Sequence, residues 1–124
     1  WAVAAKQSTA VSGGTGEALG TGSSNTDKII DQNDAGTTYA AGLARAYNGG
    51  GYTDWYLPSS YELHKLYLNK SAVGGFADSV YWSSTEGGSM GGSSLAYCEN
   101  FNGGGGGVTN YKNNTFYVRA VRSF

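Results

Sequence analysis

Tyr81-Trp82-Ser83-Ser84-Thr85-Glu86 and Tyr117-Val118-Arg119-Ala120-Val121-Arg122-Ser123-Phe124 bracket the stretch on which the reading of this chain turns. Both ends have strand character. Tyr81-Trp82 is aromatic, and residues 118–122 alternate apolar and basic side chains with the period of a half-buried strand. Between them, from Gly87 to Tyr117, Gly, Ser, Asn and Tyr dominate, and Gly103 to Gly107 is unbroken glycine. A core does not call for such a run, because consecutive glycines lose the most backbone entropy on folding and bury no side chain. The segment reads either as a long surface loop or as a displayed binding surface whose side chains change without harming the frame. Its composition favours the second reading. Tyr supplies rigid amphipathic contact area, and Ser, Gly and Asn supply adaptable hydrogen bonding, as in antibody paratopes. Residues 96–101 and 114–117 read as short strands that interrupt the run and hold it.

Upstream of this stretch the punctuation is local and regular. Asp54-Trp55-Tyr56-Leu57 reads as a buried short strand stopped by Pro58. Ser59 or Ser60 then caps a helix with Leu63, Leu66 and Tyr67 inward and Glu62, Lys65 and Lys70 outward. Gly74-Gly75-Phe76-Ala77 reads as a turn anchored to the core by its aromatic. An earlier helix, capped by Thr37 or Thr38, carries Tyr39, Leu43, Ala46 and Tyr47 on one face. Gly42 there permits close packing, and residues 48–51 end the helix. Asn25 or Thr26 is the expected N-cap of a first helix running to about Asn33. Residues 7–22 read as loop, and Trp1 to Ala5 as an opening strand.

At 124 residues the chain suits a single domain over 1–124 with one modest core. A net charge of −1 and a pI near 5.7 argue against a nucleic-acid partner. No apolar stretch is long enough to enter a membrane. The opening on Trp1 without Met is expected of a fragment or a processed product.

No catalytic or metal chemistry is expected, and no cofactor. The single Cys98 excludes an internal disulfide and has no base partner near it. His64, the only histidine, sits on the third helix without a metal-ligand cluster and reads as a surface or packing residue. Ser59-Ser60 and Ser83-Ser84 lack a nucleophile-elbow context. Asp27, Asp31 and Asp34 read as a solvated helix face rather than a calcium loop. The glycine run is not a phosphate loop. Asp54 is expected to pair with Arg119 or Arg122 and so to orient the last strand.

The ordered series Gly-Tyr-Thr-Asp-Trp-Tyr-Leu-Pro-Ser (51–59), Glu62-Leu63, Tyr-Trp-Ser-Ser-Thr-Glu (81–86), Ala96, Asn100-Phe101-Asn102, Lys112 and Val-Arg-Ala-Val-Arg (118–122) resembles the C-terminal domain of Legionella collagen-like adhesins and its bacterial and phage relatives. The resemblance implies an α+β C-type-lectin fold of the formylglycine-generating-enzyme subtype, with two or three helices packed on small twisted antiparallel sheets. It also implies that the opening strand pairs with the last one. Two activities of such folds lack their residues here. The sugar motifs of calcium-dependent lectins are missing, and formylglycine generation needs reactive cysteines, so the chain is expected not to be an enzyme.

The chain is also similar to the variable proteins of diversity-generating retroelements, in which template adenines are mutagenised during reverse transcription. In that case the segment 87–117 is the diversified recognition surface. An Asn-rich template leads to Gly, Ser, Tyr and most other residues found there; only Met90, Glu99 and Lys112 fall outside its reach, and the last two read as frame. The expected contact residues are Ser89, Met90, Ser93, Ser94, Tyr97, Cys98, Asn110, Tyr111, Phe116 and Tyr117. Gly103, Gly105 and Gly107 are expected to be variable positions that contribute little in this variant. Trp55, Leu57, Trp82, Phe101, Val118 and Val121 are expected to hold the frame. The implied partner is a protein or glycan receptor on a cell surface, met by a domain that is extracellular, on a cell surface or on a phage particle, and that forms a homo-oligomer in some relatives. The alternative is an invariant adhesin domain that binds a surface glycan.

Overall fold

A computed structural model of the chain describes residues 1–87 and 92–123. Its architecture is α+β. Helices α1 (Gly22–Asn33), α2 (Ala40–Ala46), α3 (Ser60–Leu68) and the single turn α4 (Lys70–Val73) precede three strands, β1 (Val80–Glu86), β2 (Leu95–Asn100) and β3 (Gly107–Tyr111). The strands form one antiparallel sheet in the order β1-β2-β3 among the described residues. Among the described residues the expected small antiparallel sheet is thus three-stranded, and its strand β3 sits inside the glycine-rich run where none was expected.

The first helix starts earlier than its expected caps. Asn25 and Thr26 lie inside α1 and are buried, because their side chains serve tertiary bonds instead. Thr26 Oγ1 donates to Gly22 O at 2.8 Å and accepts from Leu57 N at 3.0 Å. The Asn25 amide clasps Gly16, accepting from its N–H at 2.8 Å and donating to its carbonyl at 2.7 Å.

In α2 the buried face is Ala40, Ala41, Gly42 and Ala44; of the residues expected to share a face, Tyr39 just before the helix is buried with them, while Leu43, Ala46 and Tyr47 are exposed. The reason is proximity. A Cβ at position 42 would strike the carbonyl of Gly36 and the Tyr39 ring, so only small residues fit the inward side. The expected role of Gly42 as a close-packing position holds. The third helix is capped as its sequence indicates: Ser59 Oγ accepts from Glu62 N at 3.3 Å, and the Glu62 carboxylate accepts from Ser59 N at 2.7 Å.

Residues 118–122 do not form the expected strand. Val121 makes one antiparallel bridge to Tyr56, with N–H···O bonds of 2.8 and 3.0 Å. On one side the next bonding position along that ladder falls on Pro58, which has no N–H to donate, so the pairing stops in that direction. The paired Arg is Arg122, whose guanidinium holds Asp54 through bonds of 2.8 and 3.0 Å. This bond, first of all, keeps the Asp54 carboxyl below its ordinary range. Arg119 instead lies over the Phe76 ring at 4.5 Å. Trp1 to Ala5 is not a strand either; Ala4–Lys6 is a 3-10 turn, and the Trp1 indole N–H donates to Ser83 O at 2.7 Å.

The sheet has two unlike faces. Register pairs Trp82 with Cys98 and Tyr81 with Glu99, and successive side chains point to opposite sides. Trp82, Ala96 and Cys98 meet Ile29, Leu57, Trp1 and the alanines of α2 in the larger core. On the other side, Tyr81 and Phe101 pack with Leu63, Leu66, Tyr67 and Phe76 from α3 and the turn after α4. Phe76 stacks on Phe101 with ring centroids 4.6 Å apart, the anchoring expected of it.

Candidate recognition surface

The helix α3 covers only one end of the second sheet face. At that end lie Tyr81, Glu99 and Phe101. Further along, register pairs Tyr97 with Thr109 and Leu95 with Tyr111, placing these four side chains on the same face beyond the reach of the Leu63–Phe101 cluster. Tyr111 is 63% exposed, Thr109 is exposed, and Tyr97 and Leu95 are half-buried. The result is a shallow aromatic and polar surface on β2 and β3. The strand β3 is the outermost of the sheet and pairs with no further strand among the described residues. Leu95 and Thr109 are absent from the expected contacts. Only the register of β3 reveals them, and that strand is hidden in a stretch rich in Gly and Asn.

What holds this surface is rigid. Lys112, next to the exposed Tyr111, has a fully buried side chain. Its ammonium bonds Glu86 Oε1 at 2.5 Å and Thr9 O at 3.2 Å and lies 4.7 Å from the Trp1 ring centroid. Glu86 in turn accepts from Val11 N at 3.1 Å. The neighbouring polar residues of β1 are buried and satisfied too. Ser83 Oγ donates to Tyr97 O at 2.8 Å, Ser84 Oγ accepts from Asn25 at 3.2 Å, and Thr85 Oγ1 donates to Gly16 O at 2.9 Å. These hydroxyls knit loop, helix and strand together.

The glycine run is also tied down. Glu99 is buried; its Oε1 accepts from Gly106 N at 2.8 Å and its Oε2 lies 3.2 Å from His64 Nδ1. His64 thus partners a buried carboxylate from α3, a more specific role than surface packing. Gly103 has a φ of 83°, and a Cβ on Gly105 would run into the Tyr67 ring. Gly104 has open space around a Cβ, and Gly107 has only Glu99 Oε2 at 4.0 Å. Of the three glycines expected to vary, Gly103 and Gly105 therefore sit where a side chain is strained, and Gly107 does not.

The remaining expected contacts divide. Tyr117 is 54% exposed and lies against Tyr81 with centroids 5.4 Å apart. Asn110 falls on the opposite face from Tyr111 and accepts from Asn114 Nδ2 at 2.5 Å. Ser93 Oγ donates to Ser8 O at 2.7 Å, and Ser94 O accepts from Lys112 N at 2.9 Å, so both fasten the segment to the frame. Phe116 is half-buried against Trp82 at 4.6 Å. Cys98 is 1% exposed, a core residue whose thiol donates to Val108 O at 3.4 Å. Burial, with Glu99 second, pushes that thiol up to about 11. A side chain so placed does not reach a ligand. Ser89 and Met90 lie outside the described residues.

Among the described residues no three His, Cys, Asp or Glu side chains gather as a metal site, and no helix is long and apolar enough to cross a membrane. A family model described as the Lcl C-terminal domain matches residues 2–122. No curated protein and no solved structure matches the chain.

Proposed function

The chain belongs to the Lcl C-terminal domain family, and from that premise we propose that it is an adhesin-type recognition domain that binds a surface receptor through the open face of β2 and β3. The observation that carries this reading is the quartet Leu95, Tyr97, Thr109 and Tyr111, half-buried on β2 and exposed on β3, on a frame fixed by buried Lys112 from behind and by buried Glu99 beside it. Rigid tyrosines beside small polar residues give contact area at low entropic cost. The role is binding without catalysis, in a lectin-type fold displayed outside the cell or on a phage particle.

The origin of the surface is diversification by a retroelement. Two features support it. Glu99 and Lys112, which an Asn-rich template does not reach by adenine mutagenesis, are both buried. Tyr97, Gly104, Val108, Thr109 and Tyr111, which it does reach, all lie on or beside the open strands. Ala96, Cys98 and Phe101 are reachable as well but are buried; this origin requires template codons without mutable adenines at those three positions.

Sequencing the parent locus tests this origin. The expected result is a near-copy of the 3′ end of the gene beside a reverse transcriptase, differing at the codons for Tyr97, Thr109 and Tyr111 and identical at those for Ala96, Cys98 and Phe101. A locus without such a copy, or with differences at the buried codons, overturns diversification and leaves a fixed adhesin surface.

A further inference from the structure

A second concave surface lies elsewhere on the molecule and shares no residue with the β2–β3 face. It is a cleft of about 1090 Å³ between α2, the loop after it, the α3–α4 region and residues 118–122. Leu43, Tyr47, Tyr52 and Val73, all large apolar side chains left substantially exposed, line it together. Isolated exposed apolar residues are ordinary, but a contiguous set around one hollow marks an interaction site. Its volume is just above the range of pockets that hold small ligands, roughly 300–1,000 Å³, leaving room for a short peptide segment. The aromatic wall is set in place: Trp55 Nε1 donates to Gly49 O at 3.1 Å, and Tyr47 meets Trp55 edge-to-face at 4.9 Å.

The charges in the cleft are unequal. Arg122 is committed to Asp54 and covers the Tyr52 ring at 3.6 Å. Arg119 uses one nitrogen, Nη1, on the carbonyls of Gly74 and Gly75 at 3.4 and 3.3 Å. No carboxylate among the described residues pairs with it, and its Nε and Nη2 donate to none of them. The cleft thus presents apolar and aromatic walls with a guanidinium edge still able to donate. The complementary ligand is apolar with a carboxylate, held by charge-assisted bonds. The ring faces are not laid out for a sugar: Arg122 covers one face of Tyr52, and Tyr47 and Trp55 meet edge to face.

We propose that this cleft is a docking site for a short apolar, aromatic-containing peptide segment that carries a carboxylate, with Arg119 receiving the carboxylate. Because every lining residue falls outside 87–117, the partner is the same whatever the β2–β3 face displays. The proposal stands independently of the function assigned to that face.

The test is an NMR titration of the ¹⁵N-labelled chain with the probe N-acetyl-Leu-Trp-Phe-Glu and its Gln-terminated amide. The expected result is saturable shifts at residues 43–55 and 118–122 with the acid, weakened roughly tenfold or more with the amide, as bonds to a charged group warrant. Leu43→Glu, on an exposed position, should abolish the shifts while leaving the spectrum folded, and Arg119→Gln should bind acid and amide alike. Equal affinity of acid and amide, no saturation at millimolar probe, or shifts confined to residues 95–111 would overturn the proposal. So would a uronic-acid oligosaccharide that binds this cleft in place of the peptide.

Discussion

Lys112 carries an ammonium whose side chain has no exposed surface, and it survives there because three groups share it: the Glu86 carboxylate, the Thr9 carbonyl and the Trp1 ring. Replacing a buried ion pair by apolar groups is often neutral, but deleting one partner strands the other charge. Lys112→Met should therefore cost about 3–5 kcal/mol in urea unfolding. A loss below about 1 kcal/mol would mean that Glu86 is hydrated and that the clasp does not hold β3. Cys98 makes the complementary point. Its sequence context, among Tyr, Glu and Asn in a polar run, reads as surface, yet its thiol is buried and pushed up to about 11. Thiolate is the reactive form, so a disulfide reagent at about pH 8 should leave the native protein unlabelled and label it fully in denaturant. Rapid native labelling would place Cys98 back among the contacts.

Elements differ in how far their own residues determine them. The α3 cap was legible because Ser59 and Glu62 complete it locally, and Phe76 was legible as an anchor because its glycine-rich neighbours leave it nothing else to do. The face of α2 was not. Counting apolar positions favours Leu43 and Tyr47, whereas the approach of Gly36 to Gly42 decides the outcome, and that distance is tertiary. The strand β3 was hidden for another reason: its pairing is backbone bonding to β2, and Gly107 and Asn110, which disfavour strands, break up the favourable Val108, Thr109 and Tyr111. Likewise the pairing of residues 118–122 was limited by Pro58, a residue far away in sequence. The glycine run shows the same dependence on context. Gly104→Tyr should be nearly silent, within about 0.5 kcal/mol, since open space surrounds it. Gly103→Tyr should cost about 1–3 kcal/mol from its left-handed φ. Thermal unfolding of the two variants checks this, and equal losses would show that the loop re-forms freely.

At the scale of the whole molecule the sheet divides the labour. One face is covered over β1 and β2 by α1, α2 and the N-terminal residues around Trp82. The other is sealed by α3 at one end and open at the other, and the open end is the part that lacks frame duties. The register of β2 and β3 places Leu95, Tyr97, Thr109 and Tyr111 together at that end. Frame and surface should therefore be separable. The most direct measurement is a library randomised at Leu95, Tyr97, Thr109 and Tyr111, selected against an unrelated protein such as lysozyme, with binding and thermal unfolding measured on the selected clones. The prediction is clones that differ in affinity by orders of magnitude while their Tm values stay within about 5 °C of the parent, since none of the four side chains belongs to either core cluster. Binders that appear only with a broad fall in Tm, or a library that fails to fold, would contradict it.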